Sequence, residues 1–276
     1  MVQVDSSSLP EITVTPDTPP PYLRPDITDD ERSLIESVLG PVTDESVLRA
    51  VRDGRGREFQ RLEFVGDSVL DVILTAHQWI ERDCAACAGA DTLPDASDRA
   101  LAVAASEIGL GSWLEWQASP ERIADLVETC VAACWLSGRW AQASTFVSHV
   151  VHPVGASTVA ALEQGTTAGL PGRAARRVGS AMLELAAAWG VFQSLPDADE
   201  GTLSTRRATL HRASAVAVIA RGPQGAALIG DLRGDDVTVL SQVEDALAAV
   251  MASSGADECL RLASVFVPAP TAEGSG

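Results

Sequence analysis

A long segment with the periodicity of an amphipathic helix, residues 58 to about 81, constrains the fold of this chain more than any other feature. It contains the stretch FQRLEFVGDSVLD, in which apolar residues recur every three or four positions. Similar segments follow along the chain, aromatic residues make up only 4% of it, and runs of β-branched residues are short. These properties predict an all-α fold.

Residues at the ends of the periodic segments predict where helices begin and end. Thr28 is the expected N-cap of one helix and Thr43 the expected start of the next, because threonine side chains accept hydrogen bonds from the first helical N–H groups. Ser119 followed by Pro120 predicts the start of a later helix, since proline is favoured at the first helical position. That helix is predicted to end at Gly138, and another is predicted to follow it directly.

The charge of the chain restricts its functional classes. Its 20 basic residues, all of them arginine, stand against 38 acidic residues, which gives a net charge of −18. This excess argues against a protein that coats nucleic acid, because phosphate binding depends on basic surface. It leaves open a metal-dependent nuclease, in which bound cations offset clustered carboxylates.

The sequence predicts neither a membrane segment nor a secretion signal. The chain has no apolar run long enough to span a bilayer, and its first residues lack the basic and apolar regions of a signal peptide. Residues 1–25 are rich in Pro, Ser, Thr and Asp and are predicted to form a disordered tail, and residues 269–276 a flexible one. A cytoplasmic location is therefore expected.

Five cysteines leave two interpretations open. An odd number fits a reducing compartment better than a disulfide framework. Cys84, Cys87, Cys130 and Cys134 have a spacing that four-thiolate zinc sites allow. However, the second pair lies in the apolar run CVAACWL, where free cysteine is usually a small core residue.

Four acidic residues occur as pairs within otherwise apolar helical segments. Glu63 and Asp67 are four residues apart, and Asp125 and Glu128 three apart, so each pair shares one helix face. Two such helices side by side would present four oxygen ligands of the kind that Mg²⁺ or Mn²⁺ prefers. The alternative is a pair of solvated helix edges. Gly66 would let a backbone or a phosphate approach closely.

Three segments carry a resemblance to a known family. QRLEFVGDSVLD resembles the signature helix of the ribonuclease III family, usually written ERLEFLGDSVL. ADLVETCVAACWLSGRWAQASTFV is similar to the second motif of that family, and DRALAVAASEIGLGSWL resembles the element between the two. The match runs in the family's order from about residue 26 to residue 150.

The resemblance implies an all-helical endonuclease domain that cleaves double-stranded RNA. It assigns Glu63, Asp67, Asp125 and Glu128 to a site for Mg²⁺ or Mn²⁺, with Asp67 and Glu128 as the catalytic residues. In that family the cation activates a water for attack on the phosphate, and the products carry 5′ phosphate and 3′ hydroxyl ends. One departure is Gln60, where the family has glutamate.

The second half of the chain repeats landmarks of the first half in the same order, at a slowly increasing spacing. The matching landmarks are Pro41 with Pro153, Gly66 with Gly179, Ala100 with Ala215, and Gly138 with Gly255. The stretch LPDADEGTLSTRRATLHRASAVAVIA also resembles a linker of the same family. We therefore predict two domains, 26–150 and 151–268, duplicated in tandem. Members of the family resembled work as dimers of nuclease domains, so the resemblance implies that the two domains form an intramolecular pseudo-dimer.

The predicted second domain has lost most of the acidic residues. Aligned on these landmarks, the four acids correspond to other residues: Glu63 to Arg176, Asp67 to Ser180, Asp125 to Gln242, and Glu128 to Asp245. The resulting prediction is one active and one inactive domain, which would nick a single strand of bound RNA. Pairing of two chains as a homodimer is the competing assembly.

Two functional classes follow from these observations. The first is a divalent-metal-dependent endoribonuclease acting on double-stranded or structured RNA. The second is a non-catalytic scaffold or regulatory protein of the same fold that binds a protein or RNA partner. A catalytic domain acting on DNA is a third option. No double-stranded-RNA-binding domain is recognisable, so RNA binding is expected to be weak and salt-sensitive.

Overall fold

The computed structural model describes residues 26–80, 96–113, 118–151, 153–166, 172–230 and 232–268. These residues form twelve α-helices, one short 3₁₀ segment and no β-strand, which confirms the predicted all-α class. No helix in these ranges is long and apolar enough to cross a membrane. The two predicted tails, and Cys84 and Cys87 of the zinc alternative, lie outside the described residues.

The first half of the chain contains five of the helices. In order, they and the 3₁₀ segment are α1 (Asp29–Leu39), α2 (Glu45–Asp53), α3 (Arg57–Ile80), α4 (Asp98–Glu107), the 3₁₀ segment (Leu110–Trp113) and α5 (Pro120–Val150).

The described residues of the second half form seven helices. In order they are α6 (Ala156–Gln164), α7 (Gly172–Ser194), α8 (Glu200–Leu210), α9 (Ala213–Arg221), α10 (Pro223–Ile229), α11 (Asp236–Ser254) and α12 (Ala256–Phe266).

The chain forms two compact units, and the boundary between them lies inside α3. Unit 1 comprises Met1–Gly66 and Pro94–Pro153, and unit 2 comprises Asp67–Leu93 and Val154–Gly276. The second half of α3 therefore belongs to unit 2.

Local capping explains where the first helices begin. Thr28 caps α1 as predicted, since its side chain accepts from the Glu31 N–H and the Glu31 carboxylate accepts from the Thr28 N–H. The expectation that Thr43 starts α2 is wrong by one residue, because Asp44 is the N-cap. The Asp44 carboxylate accepts hydrogen bonds from the Ser46 hydroxyl at 2.7 Å and the Ser46 N–H at 2.8 Å. These bonds lower the pKa of Asp44.

The long helix α5 is the centre of unit 1, where it contacts α1, α2 and α4. It begins as predicted, with Ser119 as N-cap and Pro120 as the first residue. Its backbone leaves helical geometry at Gly138 and Arg139, so the predicted stop at Gly138 is a kink between two helical parts. Side chains in residues 124–135 are buried except those of two acids, which is typical of a central helix.

The same close helix crossing occurs once in each unit. In unit 1, a Cβ atom added to Gly66 of α3 would lie 1.8 Å from the backbone oxygen of Glu128 in α5. In unit 2, a Cβ atom added to Gly179 of α7 would lie 2.0 Å from the backbone oxygen of Glu244 in α11. Both distances are far below van der Waals contact, so each crossing requires glycine. The crossings pair Glu128 with Glu244, whereas the sequence alignment paired Glu128 with Asp245.

Replacing Gly66 with alanine is expected to destabilise the fold by on the order of 3 kcal/mol or more, because the two helix backbones must separate to admit the methyl group. Gly190→Ala is the matched control within α7, since its added Cβ meets no atom within 4 Å. We expect this control to stabilise the protein by roughly 0.5–1 kcal/mol through helix propensity. Urea denaturation of both variants measures the difference, and equal effects would contradict the crossing.

Candidate metal centre

The acidic residues of α3 occupy one narrow stripe on a helix that is otherwise buried. Within residues 59–77, the side chains that retain solvent exposure are those of Gln60, Glu63, Asp67 and Asp71. They are spaced three or four residues apart and therefore lie along one helix face. Glu63 and Asp67 thus share one helix face, as their spacing predicts.

Three of the four predicted metal ligands converge in unit 1. One carboxylate oxygen from each of Glu63, Asp125 and Glu128 lies within 4.8 Å of the other two, and all three side chains are half-buried. Asp125 and Glu128 are the two side chains of residues 124–135 that are not buried. Glu63 of α3 thus lies close to the two partly exposed acids of α5.

The carboxylate set fits a small divalent cation. Oxygens bound octahedrally to Mg²⁺ at about 2.1 Å lie roughly 3–4.2 Å from one another, so oxygens within 4.8 Å need only small side-chain rotations. Carboxylate ligands are the donors that Mg²⁺ and Mn²⁺ prefer over imidazole or thiolate. Glu63, Asp125 and Glu128 would hold such an ion.

The glycine crossing brings the carboxylates of the two helices together. Glu63 and Gly66 are three residues apart on α3, and the crossing seats the backbone of Glu128 directly on that glycine. The sequence left open whether a backbone or a phosphate approaches Gly66. The structure shows that a helix backbone fills the space above this glycine. A phosphate does not fit there.

Two hydrogen bonds fix the register of α5 in unit 1. The buried Thr129 hydroxyl donates to the Phe59 carbonyl oxygen at 3.3 Å. The Arg122 guanidinium donates to the Gly54 carbonyl oxygen at 2.9 Å, where α2 ends. Both bonds lie within one or two turns of Asp125, so its position depends on side chains outside the acidic set.

The fourth predicted ligand, Asp67, makes a different contact. It lies one turn from Glu63 on α3, but its carboxylate is not part of the converging group. Its Oδ2 accepts a hydrogen bond from Arg207 Nη1 of α8 at 3.1 Å, within unit 2. The same Arg207 nitrogen donates to the Ser68 hydroxyl at 3.0 Å. Sequence reasoning assigned no role to Arg207, although it lies in the linker that resembles the family.

Further charged residues of unit 2 surround this ion pair. Asp71 lies one turn beyond Asp67 on α3, and burial raises its pKa to about 6, with the negative charges of Glu184 and Asp67 adding to the effect and Arg207 opposing it. Glu184 of α7 is 3.4 Å from His211 Nε2. Arg207 is thus a positive charge that acts on Asp67 and Asp71, which lie one turn apart on α3.

The corresponding part of unit 2 has a different arrangement. Arg176, which aligns with Glu63, forms a bidentate ion pair with Asp245, at 2.9 and 2.7 Å. Glu244 is half-buried and hydrogen-bonded to Ser180, and burial raises its pKa. Among the described residues, the three-carboxylate group of unit 1 has no counterpart in unit 2.

The cysteines that the structure describes are core residues. Cys130 and Cys134 are buried, and burial raises the pKa of both thiols. The Cys134 thiol donates to the Leu39 carbonyl oxygen at 3.4 Å. This agrees with the core interpretation of the CVAACWL run.

No protein-family model matches this chain, and no curated protein matches it either. The resemblance to the ribonuclease III family therefore rests on the motifs in the sequence.

The raised pKa of Asp71 predicts a pH-dependent stability. Because its pKa in the folded protein, about 6, is above the ordinary value of 3.8, this group favours folding when protonated. Its contribution is present below about pH 4 and is lost as the pH rises through about 6. Asp71→Asn should therefore become more stable relative to the wild type between pH 4 and 7, by on the order of 2 kcal/mol. Urea unfolding at several pH values measures this, and a constant difference would contradict it.

Proposed function

We propose that this protein is a divalent-metal-dependent endoribonuclease that hydrolyses phosphodiester bonds of double-stranded or structured RNA. The observation that carries the proposal is the convergence of Glu63, Asp125 and Glu128 from two helices. These are three of the four positions that the ribonuclease III motifs assign to metal binding. The all-α architecture also supports the proposal, because the motifs imply an all-helical domain.

Asp67 is proposed as the fourth ligand, with Glu128 as the second catalytic residue. A bound Mg²⁺ or Mn²⁺ would supply Lewis acidity to the phosphate and would activate water for its attack. Glu63, Asp125 and Glu128 would hold the ion, and the seating of the Glu128 backbone on Gly66 sets the spacing of the helices that carry them. Half-burial of the three converging carboxylates limits competition from bulk water.

We also propose that the chain contains two copies of one nuclease-like domain and that the second copy is inactive. The two glycine crossings, Gly66 on Glu128 and Gly179 on Glu244, support the duplication. The Arg176–Asp245 ion pair supports the loss of metal binding, because a guanidinium already neutralises that carboxylate. By the family resemblance, the two copies would pair within one chain, with a homodimer as the competing assembly.

A non-catalytic scaffold that binds a protein or RNA partner is the second candidate. The ion pair between Asp67 and Arg207 favours it, because this contact engages one of the proposed catalytic carboxylates. The buried thiols fit a reducing compartment, and we propose a cytoplasmic location for either function.

Glu128→Gln should reduce Mg²⁺- or Mn²⁺-dependent cleavage of a labelled RNA duplex by on the order of a hundredfold or more, because it removes a charged ligand. Glu244→Gln is the matched control, since it makes the same change at the equivalent crossing of unit 2. Its cleavage rate should equal that of the wild type. Absence of cleavage by the wild type in either metal would favour the scaffold, and an equal loss in both variants would contradict an inactive second copy.

A single active centre predicts nicked products. A monomer confirmed by light scattering should yield cut strands on a denaturing gel while the duplex stays intact on a native gel. Double-strand cuts by that monomer would overturn the one-centre proposal. Double-strand cuts by a dimer would favour pairing of two first domains from separate chains.

A further inference from the structure

The segment that joins α2 to α3 carries a concentration of positive charge in unit 1. Residues 49–61 contain five arginines and two acidic residues, which gives this segment a net charge of +3 in a chain whose net charge is −18. The whole segment belongs to unit 1. A local reversal of sign of this kind indicates a surface that attracts anions.

Burial divides the arginines of this segment into two kinds. Arg52 and Arg61 are buried, and each faces an acidic residue close to it in sequence, at 2.7 and 3.7 Å. These two side chains therefore contribute to the fold of unit 1. In the loop itself, Arg55 is partly exposed and Arg57 is exposed. The loop thus presents positive charge to solvent through Arg55 and Arg57.

The outer side of the loop is open. Gly54 and Gly56 both have positive φ, at 57° and 88°, so the chain turns sharply between the two helices. A Cβ atom added to Gly56 would meet no atom of the described residues within 4 Å. A large ligand can therefore approach the loop beside Gly56. The opposite holds at Gly66, where a helix backbone fills the space.

A third arginine connects this loop with the helix that carries two of the converging carboxylates. Arg122 of α5 is partly exposed and donates from Nη2 to the Gly54 carbonyl oxygen at 2.9 Å, so its guanidinium lies at the loop. It precedes Asp125 by three residues, which places both on one side of α5. On α3, Arg57 precedes Glu63 by six residues, or about 9 Å of helix. The arginines therefore lie within roughly two helical turns of the carboxylates, in the same unit.

We propose that Arg55, Arg57 and Arg122 form an arginine surface that binds the backbone phosphates of RNA beside the phosphate that is cleaved. This inference rests on the proposed function, because it takes RNA as the substrate. Guanidinium groups suit this role, since their N–H donors match phosphate oxygens in paired hydrogen bonds. The three arginines are positioning residues, which hold the strand while the carboxylates hold the cation.

The overall charge of the chain explains why such a surface is needed. A protein with a net charge of −18 repels a polyanion, so attraction has to come from basic side chains close to the cleavage site. An acidic protein segment is the other polyanion that arginines attract. The position of the arginines beside a candidate cation site favours the phosphodiester backbone, because a divalent cation and arginine both bind phosphate oxygens.

The first test measures binding of a labelled RNA duplex by fluorescence anisotropy, with Glu128→Gln in every protein so that the duplex stays uncut. Changing Arg55→Gln and Arg57→Gln together should weaken binding about three- to tenfold and lower the slope of log Kd against log salt by about 1 to 2. Two duplexes of unrelated sequence should show the same loss, because phosphates carry no sequence information. A loss for only one duplex would contradict phosphate binding.

Two matched variants separate local charge from other causes. Arg139→Gln makes the same charge change at an exposed residue of α5, seventeen residues beyond Arg122, or about 26 Å along an α-helix. It should leave the affinity unchanged, and an equal loss would overturn the proposal. Arg55→Lys with Arg57→Lys should keep most of the affinity, because the charge is retained. If the lysine variant loses as much as the glutamine variant, the arginines do not act through their charge and the proposal fails.

The second test uses cleavage by the protein with its acids intact. Arg57→Gln alone should raise KM for the duplex about two- to threefold and leave kcat nearly unchanged, because the contact is lost from substrate and transition state alike. This single change also serves if the double variant does not fold. A lower kcat with an unchanged KM would contradict a role in holding the strand.

The outcomes distinguish this inference from the proposed function. If the protein cleaves RNA but the glutamine variants bind and cleave like the wild type, the inference alone fails. If the protein binds the duplex with the expected dependence on Arg55 and Arg57 but cuts it in neither Mg²⁺ nor Mn²⁺, the nuclease proposal fails and the arginine surface stands. If the protein binds an acidic peptide but no RNA, both fail.

Discussion

The contact between Gly66 and the backbone of Glu128 is the constraint on which the rest of the candidate site depends. Two helices approach this closely only where one of them has no side chain, and the contact then fixes both their separation and their register. Glu63 lies one turn before the glycine, and Asp125 lies one turn before Glu128. Backbone packing, and not attraction between the acids, therefore brings three like charges together.

The chain balances its clustered carboxylates in different ways in its two halves. In unit 2, Arg176 neutralises Asp245 and Arg207 neutralises Asp67, in each case through direct hydrogen bonds. In unit 1, the converging acids form a group whose chemistry suits a cation from solution. In a chain with a net charge of −18, ion pairs with arginine are one way in which clustered carboxylates are offset.

Patterns that act within one helix were predictable from the sequence. The capping residues Thr28 and Ser119 and the position of Glu63 and Asp67 on one exposed stripe follow from spacing alone. Features that join distant segments were not. The Asp67–Arg207 pair links residues 140 positions apart, and the match of Glu128 with Glu244 differs by one residue from the alignment. Two alanine- and valine-rich helices can be aligned with several different offsets. Sequence similarity alone therefore does not determine which residue of one helix contacts the glycine of the other.

The continuity of α3 has a consequence for any attempt to divide the protein. One uninterrupted ladder of backbone hydrogen bonds runs from Arg57 to Ile80, although Gly66 and Asp67 belong to different units. Loss of structure on one side of that junction frays the helical turns on the other side. A fragment that stops near residue 150 would also expose the buried apolar side chains of the second half of α3. A fragment that begins after residue 150 would lack this helix altogether.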